Sequence, residues 1–153
     1  MTIVFNDLEQ FIDRLIEHHH SKKDDDWDLN IYMCCPGGYI NRIPIAVDLI
    51  KQYNYTIYVS DASSASLGVL LRLDKNRIKA FEDAQFMDHQ LQWSDPKNTK
   101  ESWRKTRDYL FELQRQMWEK HFPSEVIDFL CRSPKNGYYF TAQEALKYGI
   151  IGE

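Results

Sequence analysis

Apolar positions near the start of the chain recur every three or four residues, at Leu8, Phe11, Ile12, Leu15 and Ile16. That spacing lines one face of a helix. With Asp7 placed as a cap, it predicts an amphipathic helix over roughly residues 7–20. Leu29-Asn30-Ile31-Tyr32-Met33 predicts a short buried strand, ended by Cys34-Cys35-Pro36-Gly37-Gly38. Ile43 to Gln52 predicts a helix with Pro44 in its first turn, where proline is tolerated. Tyr55 to Val59 predicts a second strand, and the small residues Ser60 to Ser66 predict a loop after it. Leu67 to Leu73 predicts a buried helix, and Arg77 to Ala80 and Gln85 to His89 predict two further strands. Thr99 to His121 is the longest helical pattern. Ser124 to Cys131 and Ala142 to Tyr148 predict short helices, the last stopped by Gly149. Strand and helix alternate over the first part of the chain, which predicts an α/β fold with a mostly parallel sheet and crossover helices.

Composition narrows the class. A chain of 153 residues fits one domain over residues 1–153 and can bury a core without staples. A net charge of −4 argues against a dedicated nucleic-acid binder, which usually carries a basic face. No apolar run is long enough for a membrane helix, and MTIVFNDLEQ has neither the basic nor the apolar region of a signal peptide. Three cysteines, Cys34, Cys35 and Cys131, are an odd number and predict free thiols and a cytoplasmic protein. His18, His19 and His20 run off the end of the first helix in different directions, so no metal site is expected, and no cofactor either. Aromatic residues reach 14%, which suggests that some are buried against partner subunits.

Ligands of such a sheet bind outside the carboxyl ends of its strands. Two loops are placed there. Cys35-Pro36-Gly37-Gly38 frees backbone N–H groups and lets a substrate chain approach without a Cβ in the way. Ala65-Ser66-Leu67-Gly68 puts Ser66 between a strand and a helix, either as an exposed hydroxyl with the Leu67 N–H beside it or as a helix N-cap. Ser63 and Ser64 leave the choice of nucleophile open on local grounds. A nucleophilic serine needs a base, and His89, at the end of a predicted strand, is the best placed histidine.

In this order the pieces resemble the Clp protease proteolytic subunit family, ClpP. The family pattern is Ser-Pro-Gly-Gly after a strand, Ala-Ser-Met-Gly at a strand-to-helix turn, Met-x-His-Gln, and a final Ala-x-Glu-Ala-x-x-x-Gly. The chain reads Cys35-Pro36-Gly37-Gly38, Ala65-Ser66-Leu67-Gly68, Met87-Asp88-His89-Gln90 and Ala142-Gln143-Glu144-Ala145-Leu146-Lys147-Tyr148-Gly149. The resemblance implies a crotonase-like α/β fold with a long handle helix, in a handle region of about 91–121. It implies heptameric rings, stacked in pairs around a chamber, that cleave peptides or unfolded proteins. Ser66 would be the nucleophile and His89 the base, with Gly38 and Leu67 supplying oxyanion N–H groups and Gly37, Gln90 and Leu91 contacting substrate. Trp93, Trp103, Tyr109 and Trp118 would fall where subunits meet.

The departures define the alternatives. The family's triad aspartate falls on Gly137, with Asn136 beside it, so Asn136, Asp128 or a water is left to orient His89. The axial segment that contacts an AAA+ unfoldase in the family precedes the first helix, which here begins almost at once, so unfoldase docking is left open. After His89 the family's glycine-bearing strand is replaced by Leu91-Gln92-Trp93-Ser94-Asp95-Pro96, which makes single rings better supported than double ones. Cys34-Cys35 stands before Pro36-Gly37-Gly38, and strand-end packing is favoured there over a cysteine nucleophile. The leading expectation is a serine endopeptidase. The alternative is a catalytically impaired subunit that assembles with itself or with active ClpP and modulates proteolysis. A crotonase-type acyl-CoA enzyme is disfavoured by the Ser66–His89 pair, because such enzymes typically use carboxylates.

Overall fold

Side-chain alternation on the strands builds the sheet. In β2 (Asp28–Cys35) Leu29, Ile31, Met33 and Cys35 are buried while the residues between them are exposed. In a computed structural model, which describes residues 1–21, 27–92 and 100–153, β2 lies between β1 (Thr2–Phe5) and β3 (Asn54–Ser63). Beyond β3 come β4 (Ile78–Asp88) and β5 (Tyr138–Thr141), giving a five-stranded sheet in sequence order. The β1–β2, β2–β3 and β3–β4 pairs are all parallel, as crossover helices require.

The helices are α1 (Leu8–Ser21), α2 (Ile43–Lys51), α3 (Ala65–Leu70), α4 (Glu101–His121), α5 (Ser124–Arg132) and α6 (Ala142–Lys147). Asp7 caps α1 as expected, its Oδ1 accepting the Gln10 N–H at 2.9 Å. Pro44 occupies the first turn of α2. A reciprocal capping box between Thr141 and Glu144 starts α6.

Three expectations change. β2 runs on through Cys34 and Cys35, which pair with Asp61 and Ala62 after a register shift. The expected Ser60–Ser66 loop is mostly strand, because Asp61, Ala62 and Ser63 pair with Gln85, Phe86 and Met87. The two strands expected between Arg77 and His89 are one, β4. β1 and β5 were not expected, since each has four residues and is too short to display a period-two pattern.

The described residues divide into two compact units, residues 1–87 with 139–153, and residues 88–138. In the first, Phe5 stacks on Phe11 at 4.1 Å between ring centroids, and Phe86 stacks on Phe140 at 5.3 Å. Parallel sheets usually carry helices on both faces. Here Val4 and Tyr32, which share one face, are exposed, with Tyr32 42% exposed and stacked on Tyr58. In the second unit α4 buries only Trp118 of its 21 residues. Trp118 is therefore core of its own chain and not the subunit contact expected of it, whereas Tyr109 is 64% exposed. Trp93 lies outside the described residues. Among the described residues no helix is long and apolar enough to cross a membrane.

Candidate active site

β3 ends at Ser63 and α3 starts at Ala65, so the strand-to-helix turn is one residue, Ser64. To reverse direction in one step, Ser64 adopts φ 56° and ψ −119°. Among the described residues it is the one non-glycine with positive φ. Such a conformation costs about 1–3 kcal/mol and persists only where surrounding bonds enforce it. They do: the Ser64 N–H donates to Met87 O at 2.8 Å, and its carbonyl accepts the Gly68 N–H at 3.0 Å. A strained serine on a sharp strand-to-helix turn is the elbow that presents a hydroxyl above a sheet. Ser64 is partly exposed, and its Oγ has no hydrogen bond among the described residues.

Ser66, the expected nucleophile, is placed differently. It is 0% exposed. Its Oγ accepts the Ser63 N–H at 2.9 Å and lies 2.8 Å from both the Cys35 and Ser63 carbonyls, which share its single proton. The hydroxyl thus ties the end of β2 to the end of β3. Leu67, expected to supply an oxyanion N–H, is also fully buried. A Cβ on Gly68 would come within 2.8 Å of Ile43 Cδ1, so that glycine serves close packing of α3 on α2.

Pro36-Gly37-Gly38 lies beside the elbow. A Cβ on Gly37 would sit 3.1 Å from Ser64 Cβ and 3.5 Å from its Oγ, and Gly37 has φ +135°. Gly38 is exposed. Cys35 is buried at the foot of this turn, its Sγ 3.3 Å from Gly37 O. Burial pushes the thiol up from its ordinary range, which disfavours the thiolate a cysteine nucleophile needs. Among the described residues no three His, Cys, Asp or Glu side chains group as metal ligands.

His89 lies one residue past β4 and is half-buried. Its Nδ1 is 2.6 Å from the Gln90 carbonyl oxygen. A carbonyl only accepts, so that bond places the proton on Nδ1 and leaves Nε2 as the basic nitrogen. Asn136, expected to orient the ring, is exposed, and its N–H closes a turn onto Ser133 O at 3.0 Å. Asp128 is exposed too. Asp88 holds the chain around His89: its Oδ1 accepts the His89 N–H at 2.9 Å and its Oδ2 accepts Trp118 Nε1 at 2.8 Å. Of the residues expected to contact substrate, Gln90 spends its side-chain amide on the Leu130 and Cys131 carbonyls, and Leu91 spends its N–H on Gln114 Oε1.

Two comparisons bear on this arrangement. A family model described as Clp protease matches residues 7–153. Among solved structures, a mutant of ClpP1 from Listeria monocytogenes is similar with a TM-score of 0.70 and 18% identity, over 98% of this chain and 88% of that one. At that identity the likeness establishes a shared fold, a mixed α/β architecture around the mostly parallel sheet described above.

Proposed function

The chain belongs to the Clp protease family, and we propose that it is a serine peptidase whose nucleophile is Ser64 and whose general base is His89. The observation that carries this reading is the strained backbone of Ser64 at the carboxyl end of β3, against Gly37. The family pattern supplies the base, since Met87-Asp88-His89-Gln90 matches Met-x-His-Gln. The main-chain bond from Ser64 to Met87 O ties the elbow to a residue two before His89 in the chain.

In this reading Ser64 Oγ attacks the scissile carbonyl carbon while its proton passes to Nε2 of His89. The carbonyl electrons collect on an oxyanion, for which the N–H groups of Gly38 and of Ala65, the residue after the elbow, are the donors in place of Leu67. Collapse of that intermediate breaks the C–N bond, and the amine leaves with the proton from His89. Water then hydrolyses the acyl-enzyme by the same steps. Peptides or unfolded chains are the substrates, with the main chain at Gly37 bordering the groove.

A fluorophosphonate probe, followed by peptide mapping, is expected to modify Ser64. Modification of Ser66 overturns the assignment, and no adduct on the assembled protein overturns the activity. The latter outcome favours the second reading, a catalytically impaired subunit that modulates active ClpP. Gly137 at the family's acid position and a main-chain carbonyl on the His89 ring are the observations behind it.

The protein acts as a homo-oligomer in this proposal, in rings like those of its family. Its support is α4, which buries one residue in its own chain and leaves Tyr109 64% exposed. A helix usually owes its stability to packing of an apolar face, so a second copy covering that face explains its length. Tyr109→Glu is expected to shift the protein toward monomers in sedimentation velocity. Unchanged assembly would remove Tyr109 from the contact.

A further inference from the structure

The carbonyl that holds the His89 ring is itself held. Gln90 C=O and Leu91 N–H belong to one planar trans peptide, so they point in opposite directions. The Leu91 N–H donates to Gln114 Oε1 at 3.0 Å, and the same amide donates from Nε2 to His89 O at 3.0 Å. The Gln114 side chain, from the middle of α4, thus grips the main chain on both sides of Gln90. The Gln90 side chain adds a second anchor at the end of α5, donating to Leu130 O at 3.2 Å and Cys131 O at 3.1 Å. With both anchors made, the Gln90 carbonyl is directed at Nδ1 of His89, 2.6 Å away.

The geometry points to Gln114 as the positioning residue of the proposed peptidase. Through the Gln90–Leu91 peptide it fixes the tautomer and orientation of His89, the task a buried carboxylate performs in a Ser-His-Asp triad. A side-chain amide can do this because it is donor and acceptor at once, and both functions are used here. Asp88 acts alongside it on the main chain, binding the His89 N–H and not the ring. A neutral carbonyl stabilises an imidazolium less than a carboxylate does, so the device orients the base more than it drives the reaction.

The inference rests on His89 being the base, and the test separates the two. With ¹⁵N-labelled histidine, and His89 assigned by loss of its signals in His89→Gln, the ring is expected to show the Nδ1–H tautomer in the unmodified protein at pH 8. Gln114→Met keeps the side-chain length and removes both bonds. It is expected to yield mixed tautomers and a kcat about 10–100-fold lower with KM nearly unchanged. Gln114→Glu keeps an acceptor for the Leu91 N–H and is expected to retain the tautomer, which also guards against Gln114→Met failing to fold. An unchanged ring signature in Gln114→Met, or a lost one in Gln114→Glu, overturns the inference. A protein that takes no fluorophosphonate label but shows this pattern of ring signals refutes the peptidase reading and leaves the positioning role standing.

Discussion

Ser64→Ala is expected to lower kcat/KM on a fluorogenic peptide by about 10⁴-fold or more, the scale seen when a serine nucleophile is removed, with little change in melting temperature. Alanine at this position meets the same positive φ that serine already tolerates, so the strain is common to both proteins. The hydroxyl removed has no hydrogen bond among the described residues, so no buried partner is orphaned. Ser66→Ala is expected to behave in the opposite way. It removes the acceptor of the Ser63 N–H and the donor shared by the Cys35 and Ser63 carbonyls, all next to a fully buried site. Leaving such groups unsatisfied costs about 1–3 kcal/mol, or a melting temperature lower by about 2–4 °C per kcal/mol for a chain of this size. Ser66→Ala should still accept the fluorophosphonate label. Peptide kinetics with thermal melts on the two variants check both halves, and a Ser66→Ala protein that is stable but inactive would return the nucleophile to Ser66.

That pair also shows where the sequence is legible. Small residues flank Ser66 at Ser64 and Gly68, and they flank Ser64 at Ala62 and Ser66, so local pattern admits both elbows. What separates them is where β3 stops. β3 stops at Ser63 because Ala62 and Ser63 pair with Phe86 and Met87 across a shifted register. That pairing is made with residues over twenty positions away, and a run of Ser and Ala carries no strand signal to announce it. α1, α2 and a mostly parallel sheet are legible because periodicity, capping and the alternation of strand and helix can be read along the chain. The support of His89 is illegible for another reason. Its ring partner is a main-chain carbonyl, which every residue possesses, and the residue that aims the carbonyl, Gln114, lies 25 positions from His89. A search for a side chain to orient the ring therefore turns to Asn136, which the structure leaves exposed in a turn. Trp118 was expected among the subunit contacts. The family resemblance places the handle region, where Trp118 falls, between subunits, and only the fold reveals that its indole N–H binds the buried Asp88.

Gly37→Ala is expected to reduce kcat/KM by about 100-fold and to destabilise the fold, whereas Gly149→Ala is expected to cost stability alone. Both glycines have positive φ, +135° and +69°, so alanine is strained at either, by about 1–3 kcal/mol. They differ in what the new methyl group meets. At Gly149, just past α6, nothing lies within 4 Å, and the substitution adds strain with no collision. At Gly37 the methyl arrives 3.1 Å from Ser64 Cβ and 3.4 Å from Ser63 O, tighter than ordinary contact. One side of that contact must yield. β3 is tied to β4 up to Ser63 and Ser64 is tied to Met87, so the turn and the elbow separate from each other. A displacement of about 1 Å between a nucleophile and the groups around it costs on the order of 100-fold in rate. Measuring kcat/KM and melting temperature for the two variants separates collision from strain. If Gly37→Ala loses stability like Gly149→Ala yet keeps its rate, the turn at Gly37 is a structural neighbour of Ser64 and not a wall of the groove.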